Sequence, residues 1–457
     1  GSSTNSPTGV AYHSQNVAPG DVFFALRGAS HHGITHAQAA LDAGAAYIVS
    51  DLPHPRALLV PGTLQALHTL GRAARALLSA RVVTITGSTG KTTVKSLVSA
   101  ALGCRYTPGN LNTTPALVAA LVQAALQDMG EAHGTTALSG GGAEPAGSPL
   151  VLEVGIDRIG EMAELVELLT PDDALLTTVA EAHLSAFGDI ETVAREKGAL
   201  LAGSSGRRFA SLAAAGRLPA ELRSSVVGVE VTDASSERES EAGTAEVVSF
   251  VLRPAAAGAP AKLAGLGVEM PLPWHGRAMA ENAALALAFA VDFGVPADLA
   301  AERIAGAGLE KHRLNRKVVG HGPSELVIID DAYNSNPASA ALALETLRAE
   351  ARPLVAFLGP MRELGSVSLQ RHAELGAATR DLDMVVAVCN DARPILDGNP
   401  KALYAADLAT ATELFSAIPP GAAVLFKASR SVGMEWLVDE LVSSRSAPLQ
   451  THERSQA

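Results

Sequence analysis

Residues 82–97 read VVTITGSTGKTTVKSL, and this stretch decides how the central part of the chain is interpreted. The β-branched run Val82–Thr86 is typical of a buried strand. Two glycines and a Lys-Thr-Thr sequence follow, and a segment with apolar periodicity then predicts a helix that ends near Leu102. Glycines let backbone N–H groups turn towards an anion, and the first turn of a helix carries partial positive charge. The stretch therefore predicts a phosphate-binding loop between a strand and a helix.

Two side chains in this loop have the chemistry to act on a nucleotide. Lys91 can reach the β- and γ-phosphates, and the Thr92 hydroxyl can hold Mg²⁺. Only Ser88 and Thr89 separate the two glycines, where the common pattern has four residues. The alternative is therefore a glycine-rich turn with a surface lysine. The predicted nucleotide-binding residues of the loop are Gly87, Ser88, Thr89, Gly90, Lys91, Thr92 and Thr93.

Length and charge narrow the class of protein. A chain of 457 residues is too long for one core and predicts about three domains. The net charge of −12 argues against broad binding to nucleic acid or to a membrane surface. No apolar stretch reaches the roughly 20 residues that span a bilayer. Two distant cysteines, Cys104 and Cys389, suggest reduced thiols. We therefore expect a cytoplasmic protein that neither binds nucleic acid nor inserts into a membrane. We also expect the protein to be a monomer.

Three α/β units follow one another along the chain. Residues 1–80 predict a small α/β domain, and residues 81–315 predict the nucleotide-binding domain. Within the second domain, we interpret residues 130–149 as an inserted loop and residues 204–262 as a β-rich subdomain. Residues 316–457 alternate strands and helices, which predicts a second doubly wound, mostly parallel sheet. The predicted fold class is α/β with three domains.

Residues of the second domain that follow strands are suited to bind a metal ion. Glu153 ends a buried strand, and in phosphate-loop proteins such an acid commonly holds the metal; the alternative is a carboxylate that caps the next turn. His183 follows the strand predicted at residues 174–179, at the edge of the sheet where ligands gather. The predicted helix 190–201 contains Lys197 beside Glu196, and on the residues alone this pair is typical of a surface stripe.

The third domain places polar side chains in the loops after its strands. The predicted strands are residues 326–329, 354–358, 384–388 and 423–426, and the predicted helices are 338–351, 369–379, 406–418 and 434–442. The loops read DDAYN from Asp330, GPMRE from Gly359 and KASR from Lys427. A ligand bound at the carboxyl ends of these strands would contact them.

Taken together, these loops resemble those of the Mur ligase family of peptidoglycan synthesis over most of the chain. Each match is moderate, but their order and spacing agree. The matching segments are Pro19–Ala25, Gly87–Thr93, Ala182–Gly188 with Lys197-Gly198, Asp330–Pro337, Leu358–Gly365 and Lys427–Arg430.

The resemblance implies an ATP-dependent amide ligation. Phosphoryl transfer to the carboxylate of a UDP-MurNAc-peptide gives an acyl phosphate, which the amine of D-Ala-D-Ala attacks. The physical chemistry agrees, because a carboxylate needs a leaving group, and the two anions that meet need positive charge between them. The implied ligands are ATP, two Mg²⁺ ions and the two co-substrates.

The resemblance also implies individual roles. Thr92 and Glu153 would hold one Mg²⁺, and His183 would help to hold a second. Lys197 would carry CO₂ as a carbamate that faces the metal, so Lys91, His183 and Lys197 are the implied catalytic residues. Asn282 and Asp331 resemble positions that contact adenine and ribose, and Arg313 resembles one that contacts phosphate. The implied substrate-binding residues are Ser14, Asn334, Asn336, Ser429 and Arg430.

Some positions depart from the family pattern, and other functions stay open. The N-terminal domain has His13-Ser14-Gln15 where relatives read Asp-Ser-Arg, and the turn at residues 112–114 reads Asn-Thr-Thr where Asn-Asn-Glu is expected. Pro360 replaces a common aspartate and Ala278 a common histidine. The alternatives are a sibling ligase for another amino acid, a folate-type polyglutamate ligase, and a nucleotide-driven switch or binding module.

Overall fold

The computed structural model describes residues 7–28, 30–130, 138, 147–181, 184–233, 243–244, 246–254, 260–322 and 325–446. It contains three separate, parallel-rich sheets with helices packed against them, which confirms the predicted α/β class. Most of the insert predicted at residues 130–149 lies outside the described residues, as does the chain after Ser446.

The first sheet has four short parallel strands in the order β1-β2-β3-β4. The long helix after it packs against the second unit, where Gly71 leaves room for Val118, since a Cβ at Gly71 would lie 2.7 Å from that side chain. The first unit is therefore tied to the second by apolar packing. Its elements are β1 (Gly9–Ala11), β2 (Asp21–Phe24), α1 (Ala37–Asp42), β3 (Tyr47–Ser50), β4 (Ala57–Leu59) and α2 (Thr63–Leu77).

The second sheet has nine strands in the order β13-β12-β11-β10-β9-β8-β5-β7-β6. Its strands are β5 (Val82–Thr86), β6 (Arg105–Tyr106), β7 (Leu150–Glu153), β8 (Asp173–Leu176), β9 (Arg208–Ser211), β10 (Val227–Asp233), β11 (Glu246–Arg253), β12 (Ala261–Gly265) and β13 (Val268–Leu272). Its helices are α3 (Lys91–Leu102), α4 (Thr114–Asp128), α5 (Glu161–Leu169), α6 (Leu184–Phe187), α7 (Ile190–Ala202), α8 (Leu212–Ala215), α9 (Ala220–Arg223), α10 (Arg277–Phe293) and α11 (Ala297–Ala305).

The predicted β-rich subdomain at residues 204–262 is wrong as a separate unit. Strands β9, β10 and β11 continue the nucleotide-binding sheet in parallel, and β12 and β13 extend it as an antiparallel edge. Hydrophobic patterning indicates that a segment is a strand but does not identify its neighbours, because pairing depends on long-range contacts.

The third sheet has the order β14-β15-β19-β16-β17-β18, and only β14 is antiparallel. This arrangement agrees with the predicted doubly wound sheet. Strand β14 crosses the predicted boundary at residues 315/316, and the domain limits stay a prediction. The elements are β14 (Asn315–Val319), β15 (Leu326–Asp330), α12 (Pro337–Arg348), β16 (Leu354–Leu358), α13 (Ser368–Ala377), β17 (Met384–Val388), α14 (Ile395–Gly398), β18 (Leu403–Ala405), α15 (Leu408–Glu413), β19 (Ala423–Lys427) and α16 (Glu435–Ser446).

The position of β5 decides where a ligand can bind. It lies between β7 and β8, and all three strands are parallel, so the loop after β5 meets Glu153 at the end of β7 and the residues that follow β8. Ligands of open α/β sheets bind at this carboxyl edge. Among the described residues, no helix combines the length and the apolar character needed to cross a membrane.

Candidate active site

A cavity of about 300 Å³ opens where the carboxyl edge of the second sheet faces the third unit. The structure brings most of the predicted site residues to its wall. Those residues are Ser88, Thr89, Gly90, Lys91, Thr92, Thr93, Glu153, Lys197, Asn282, Arg313, Asp331, Asn334 and Asn336.

The loop after β5 is fixed by close contacts that only glycine permits. Gly87 has φ +151°, and a Cβ there would lie 1.9 Å from the Thr177 hydroxyl oxygen. Gly90 has φ +80°, and a Cβ there would lie 2.6 Å from the Asn282 side-chain oxygen. The loop is also held by the segment that follows β8, because the Thr89 N–H donates to the Thr178 hydroxyl at 2.8 Å. The loop is thereby shaped before any ligand arrives.

Lys91 begins helix α3 and folds back over this loop. Its Nζ donates to the Gly87 carbonyl at 2.7 Å. Burial lowers the pKa of Lys91, and the nearby carboxylate of Glu153 opposes that shift. The ammonium group therefore lies over the loop itself, where the oxygens of a bound phosphate would offer it better partners than one carbonyl.

Glu153 is the carboxylate nearest the loop and is 1% exposed. The Thr92 hydroxyl donates to its Oε2 at 2.7 Å, and Asn112 donates to its Oε1 at 3.0 Å. The ammonium group of Lys95, which is fully buried, lies 3.7 Å from Oε2. Carboxylate and hydroxyl oxygens are the ligands that Mg²⁺ prefers, so Thr92 and Glu153 fit one magnesium ion.

Lys197 lies on the cavity wall and is 3% exposed, so the surface-stripe alternative for this residue is wrong. Burial, followed by repulsion from Lys91, lowers the pKa of Lys197 from 10.5 to about 7, and Asp157 opposes the shift. The side chain of its neighbour Glu196 accepts from the Gly160 N–H at 3.0 Å and does not neutralise the lysine. A buried amine with this pKa is partly neutral at physiological pH and can act as a nucleophile.

The third unit supplies the opposite wall. Asp331 follows β15, pairs with Lys427, and accepts from the Leu314 N–H at 3.1 Å. Burial raises the pKa of Asp331, and the charge of Lys427 opposes that shift. Arg313 lies in the segment that joins the two units, with its guanidinium carbon 4.0 Å from the centre of the Tyr333 ring. Cationic groups from both units thus face the same cavity.

Comparison with known families agrees with this arrangement. Residues 85–290 match the Mur ligase middle domain, and residues 312–430 match the glutamate ligase domain of Mur ligases. The chain belongs to the Mur ligase family.

Individual relatives resemble this Mur ligase over almost its whole length. It is 28% identical to UDP-N-acetylmuramoyl-tripeptide–D-alanyl-D-alanine ligase of Bacillus subtilis, covering 95% of this chain and 93% of that protein. Identity to the Escherichia coli enzyme of the same name is 29%, covering 94% and 93%. Among solved structures, MurF ligase of Thermotoga maritima in complex with ADP has a TM-score of 0.75 at 25% identity, covering 97% and 100%.

Some predicted site residues of this Mur ligase do not line the cavity. Ser14 lies in a short 3₁₀ helix of the first unit. Ser429 is buried, and its hydroxyl accepts from the Arg362 N–H at 2.9 Å and donates to the Ser335 carbonyl at 3.3 Å, so it ties three loops together. Arg430 packs against the Tyr333 ring and pairs with Glu435 at 3.0 Å. His183 lies outside the described residues.

Asn334 and Asn336 reach the cavity wall, but their side chains also have structural partners. The Asn334 side-chain oxygen accepts from the Ser335 N–H at 2.8 Å. Asn336 caps helix α12 by accepting from the Ser339 N–H at 2.8 Å. The capping bond occupies the side-chain oxygen of Asn336, so the side-chain NH₂ group is the part suited to contact a substrate.

Sequence reasoning missed several residues of the cavity. Lys427 is the last residue of a strand of the third sheet, and it pairs with Asp331, a role that its place in the sequence does not indicate. Tyr333 lies between two predicted positions of its own loop and faces the cavity. Asn112 was noted as part of a departing turn, and it holds Glu153. The available signal for all three was their place at the carboxyl edge of a sheet.

Proposed function

We propose that this Mur ligase joins D-Ala-D-Ala to UDP-MurNAc-tripeptide with conversion of ATP to ADP, as a step in peptidoglycan precursor synthesis. The observation that carries the proposal is near full-length similarity to enzymes of that name in two bacteria, together with a cavity that contains a phosphate loop. ATP and nucleotide-linked precursors are cytoplasmic molecules, and we propose that the protein works there as a monomer.

The reaction requires two anions to meet. An oxygen of the peptide carboxylate attacks the γ-phosphorus, the bond to the bridging oxygen breaks, and ADP leaves. The amine of D-Ala-D-Ala then attacks the acyl carbon, phosphate leaves, and the amine loses a proton. Lys91 and Arg313 bring positive charge to the site of the first step, which offsets the repulsion between carboxylate and triphosphate.

Thr92 and Glu153 are the residues that would hold Mg²⁺. When bound, the ion supplies positive charge between the phosphate oxygens. Among the described residues, no group of three or more His, Cys, Asp or Glu side chains forms a ready metal cluster. A second ion would therefore need a further carboxylate, and we propose that Lys197 provides it after carboxylation, together with His183.

Carboxylation of Lys197 balances simply. The neutral amine attacks CO₂, a C–N bond forms, and one proton is released, which leaves a carbamate with two oxygen ligands. The fold supports this step because Lys197 is buried beside Lys91, and its lowered pKa leaves about half of the amine neutral near pH 7.

A matrix of substrates tests the function. Phosphate release is measured with ATP and UDP-MurNAc-peptides of different length, each paired with a single amino acid or with D-Ala-D-Ala. We expect release only when UDP-MurNAc-tripeptide and D-Ala-D-Ala are both present. Release with ATP alone would identify a switch, and release with a single amino acid would identify a sibling ligase. Lys91→Met, which keeps the side-chain length, should abolish release in every combination.

A further inference from the structure

Tyr333 occupies the junction between the two units that form the cavity. It follows strand β15, and its backbone N–H donates to the carbonyl of His312, in the segment that joins the units, at 3.1 Å. Its side chain lines the cavity together with Lys91 and Glu153. The ring is therefore held in place by backbone contacts that do not depend on a ligand.

The Tyr333 hydroxyl oxygen is buried, and no acceptor for its proton is found among the described residues. A guanidinium group lies beside the phenol, but guanidinium can only donate, so it cannot accept the phenolic proton. Buried polar atoms are nearly always satisfied, and an exception calls for an explanation. A buried donor without an acceptor, on a residue that lines the cavity, fits a ligand that brings an oxygen atom.

The cationic groups near the Tyr333 ring indicate that the oxygen atom of the ligand belongs to an anion. The guanidinium carbons of Arg313 and Arg430 lie 4.0 and 5.0 Å from the centre of the Tyr333 ring. The two arginines come from different segments, one from the connection between the units and the other from the loop after β19. An aromatic face attracts and orients such groups. Arg430 pairs with Glu435 at 3.0 Å and does not line the cavity, whereas Arg313 does. The O–H donor of Tyr333 and the guanidinium group of Arg313 together suit an anion.

We propose that Tyr333 is a substrate-contacting residue whose O–H donates to an oxygen of the terminal phosphoryl group of ATP, while its ring positions Arg313 towards the same group. The inference rests on the proposed function in that it takes ATP as the nucleotide. Tyr333 belongs to the third unit and approaches from the wall opposite the phosphate loop. The loop and Lys91 approach the triphosphate from the second sheet, and Tyr333 approaches the transferred group from the opposite side.

A comparison of the affinities for ADP and for an ATP analogue isolates the contribution of the terminal phosphoryl group to binding. Calorimetric titrations with Mg²⁺ compare ADP with a non-hydrolysable ATP analogue, AMP-PCP, for the wild type and for Tyr333→Phe. The control is Tyr404→Phe, because Tyr404 also has a guanidinium near its ring, that of Arg393 at 5.7 Å, but lies outside the cavity. Hydrogen bonds to charged groups imply that Tyr333→Phe weakens AMP-PCP binding about tenfold to a hundredfold. ADP affinity should stay unchanged.

A second substitution tests the role of the ring. Tyr333→Leu removes both the donor and the aromatic face, and we expect a larger loss of AMP-PCP affinity than with Tyr333→Phe. Unchanged AMP-PCP affinity in Tyr333→Phe, or equal losses for ADP and AMP-PCP, would overturn the contact with the terminal phosphoryl group. Equal losses in the Phe and Leu variants would overturn the positioning role. If the Leu variant does not fold, the Phe comparison still decides the contact.

These measurements use no peptide and no D-Ala-D-Ala. The measured nucleotide affinities therefore do not depend on which amine the enzyme joins to the peptide. Failure of the proposed function would appear instead as a wild-type protein that binds both nucleotides but releases no phosphate with the two co-substrates.

Discussion

Removal of Lys197 gives the sharpest test of how the cavity works. The side chain is 3% exposed, and burial together with the charge of Lys91 lowers its pKa from 10.5 to about 7. At pH 7 an ordinary lysine is neutral in about 0.03% of molecules, whereas a lysine with this pKa is neutral in about half. The fold thus raises the amount of reactive amine about a thousandfold. This gain is what carboxylation by CO₂ requires.

We expect Lys197→Ala to lower the rate of ligation on the order of a hundredfold or more, because the substitution removes the proposed carbamate, a charged group beside the reacting phosphate. Acetate or propionate should restore part of the rate, since either acid places a carboxylate in the space that the shorter side chain leaves. The assay is phosphate release at saturating substrates, with and without added acid. Lys262→Ala is the matched control, because Lys262 is exposed and pairs with Glu269 at 2.7 Å, far along the chain from the loop.

The pH profile adds an independent check. Because the pKa of Lys197 is lowered, its amine loses the proton near pH 7, and the carbamate forms increasingly as pH rises through that value. Wild-type activity at limiting CO₂ should therefore rise across this range. The Lys197→Ala variant with propionate has no such amine and should lack the rise. Full activity of Lys197→Ala without added acid, or an identical rise in both proteins, would refute the reasoning.

Three further changes test other parts of the site. Glu153→Gln should raise the Mg²⁺ concentration needed for half-maximal phosphate release, since an amide is a weaker ligand than a carboxylate; an unchanged Mg²⁺ titration would contradict the assignment. Gly87→Ala should lower the free energy of unfolding by about 1–3 kcal/mol in urea, because the new Cβ would meet the Thr177 hydroxyl at a strained φ of +151°. Arg371 pairs with Glu181 at 2.5 Å between the third and second units, and both side chains are partly exposed. Because exposed ion pairs contribute about 1 kcal/mol or less, Glu181→Lys should raise KM for ATP only a few-fold. Adding Arg371→Glu to the same chain reverses both charges and should restore KM to the wild-type value.

The parts that could be predicted from the sequence are those in which short stretches decide the structure. Strand β5, its glycines and helix α3 follow one another without a gap, so β-branching, turn chemistry and periodicity each indicate the same result. The alternation in the third unit was predictable for the same reason. Helix α15 is shorter than the predicted 406–418, because residues 414–417 form a 3₁₀ turn that local patterning does not distinguish from a helix.

The parts that escaped prediction depend on contacts between distant segments. Residues 204–262 were expected to be rich in strands, but the addition of these strands to the edge of the nucleotide-binding sheet is decided by pairing partners far away in the chain. The burial of Lys95 and the placement of Lys427 beside Asp331 depend in the same way on loops that meet only after folding. Ser429 follows a strand of the third sheet, where a substrate contact is expected, but its hydroxyl is buried and joins loops, which residue type alone does not indicate.

The charges in the cavity would favour the carboxylation proposed for Lys197. As a cation, Lys197 repels Lys91, and this repulsion adds to the effect of burial in lowering its pKa. A carbamate in the same place would carry a negative charge, so the repulsion between residues 91 and 197 would become attraction. One modification would then remove an unfavourable pair of buried cations and add oxygen ligands beside the phosphate loop. The protonated amine is therefore the disfavoured state of Lys197, which is the direction in which its pKa is lowered.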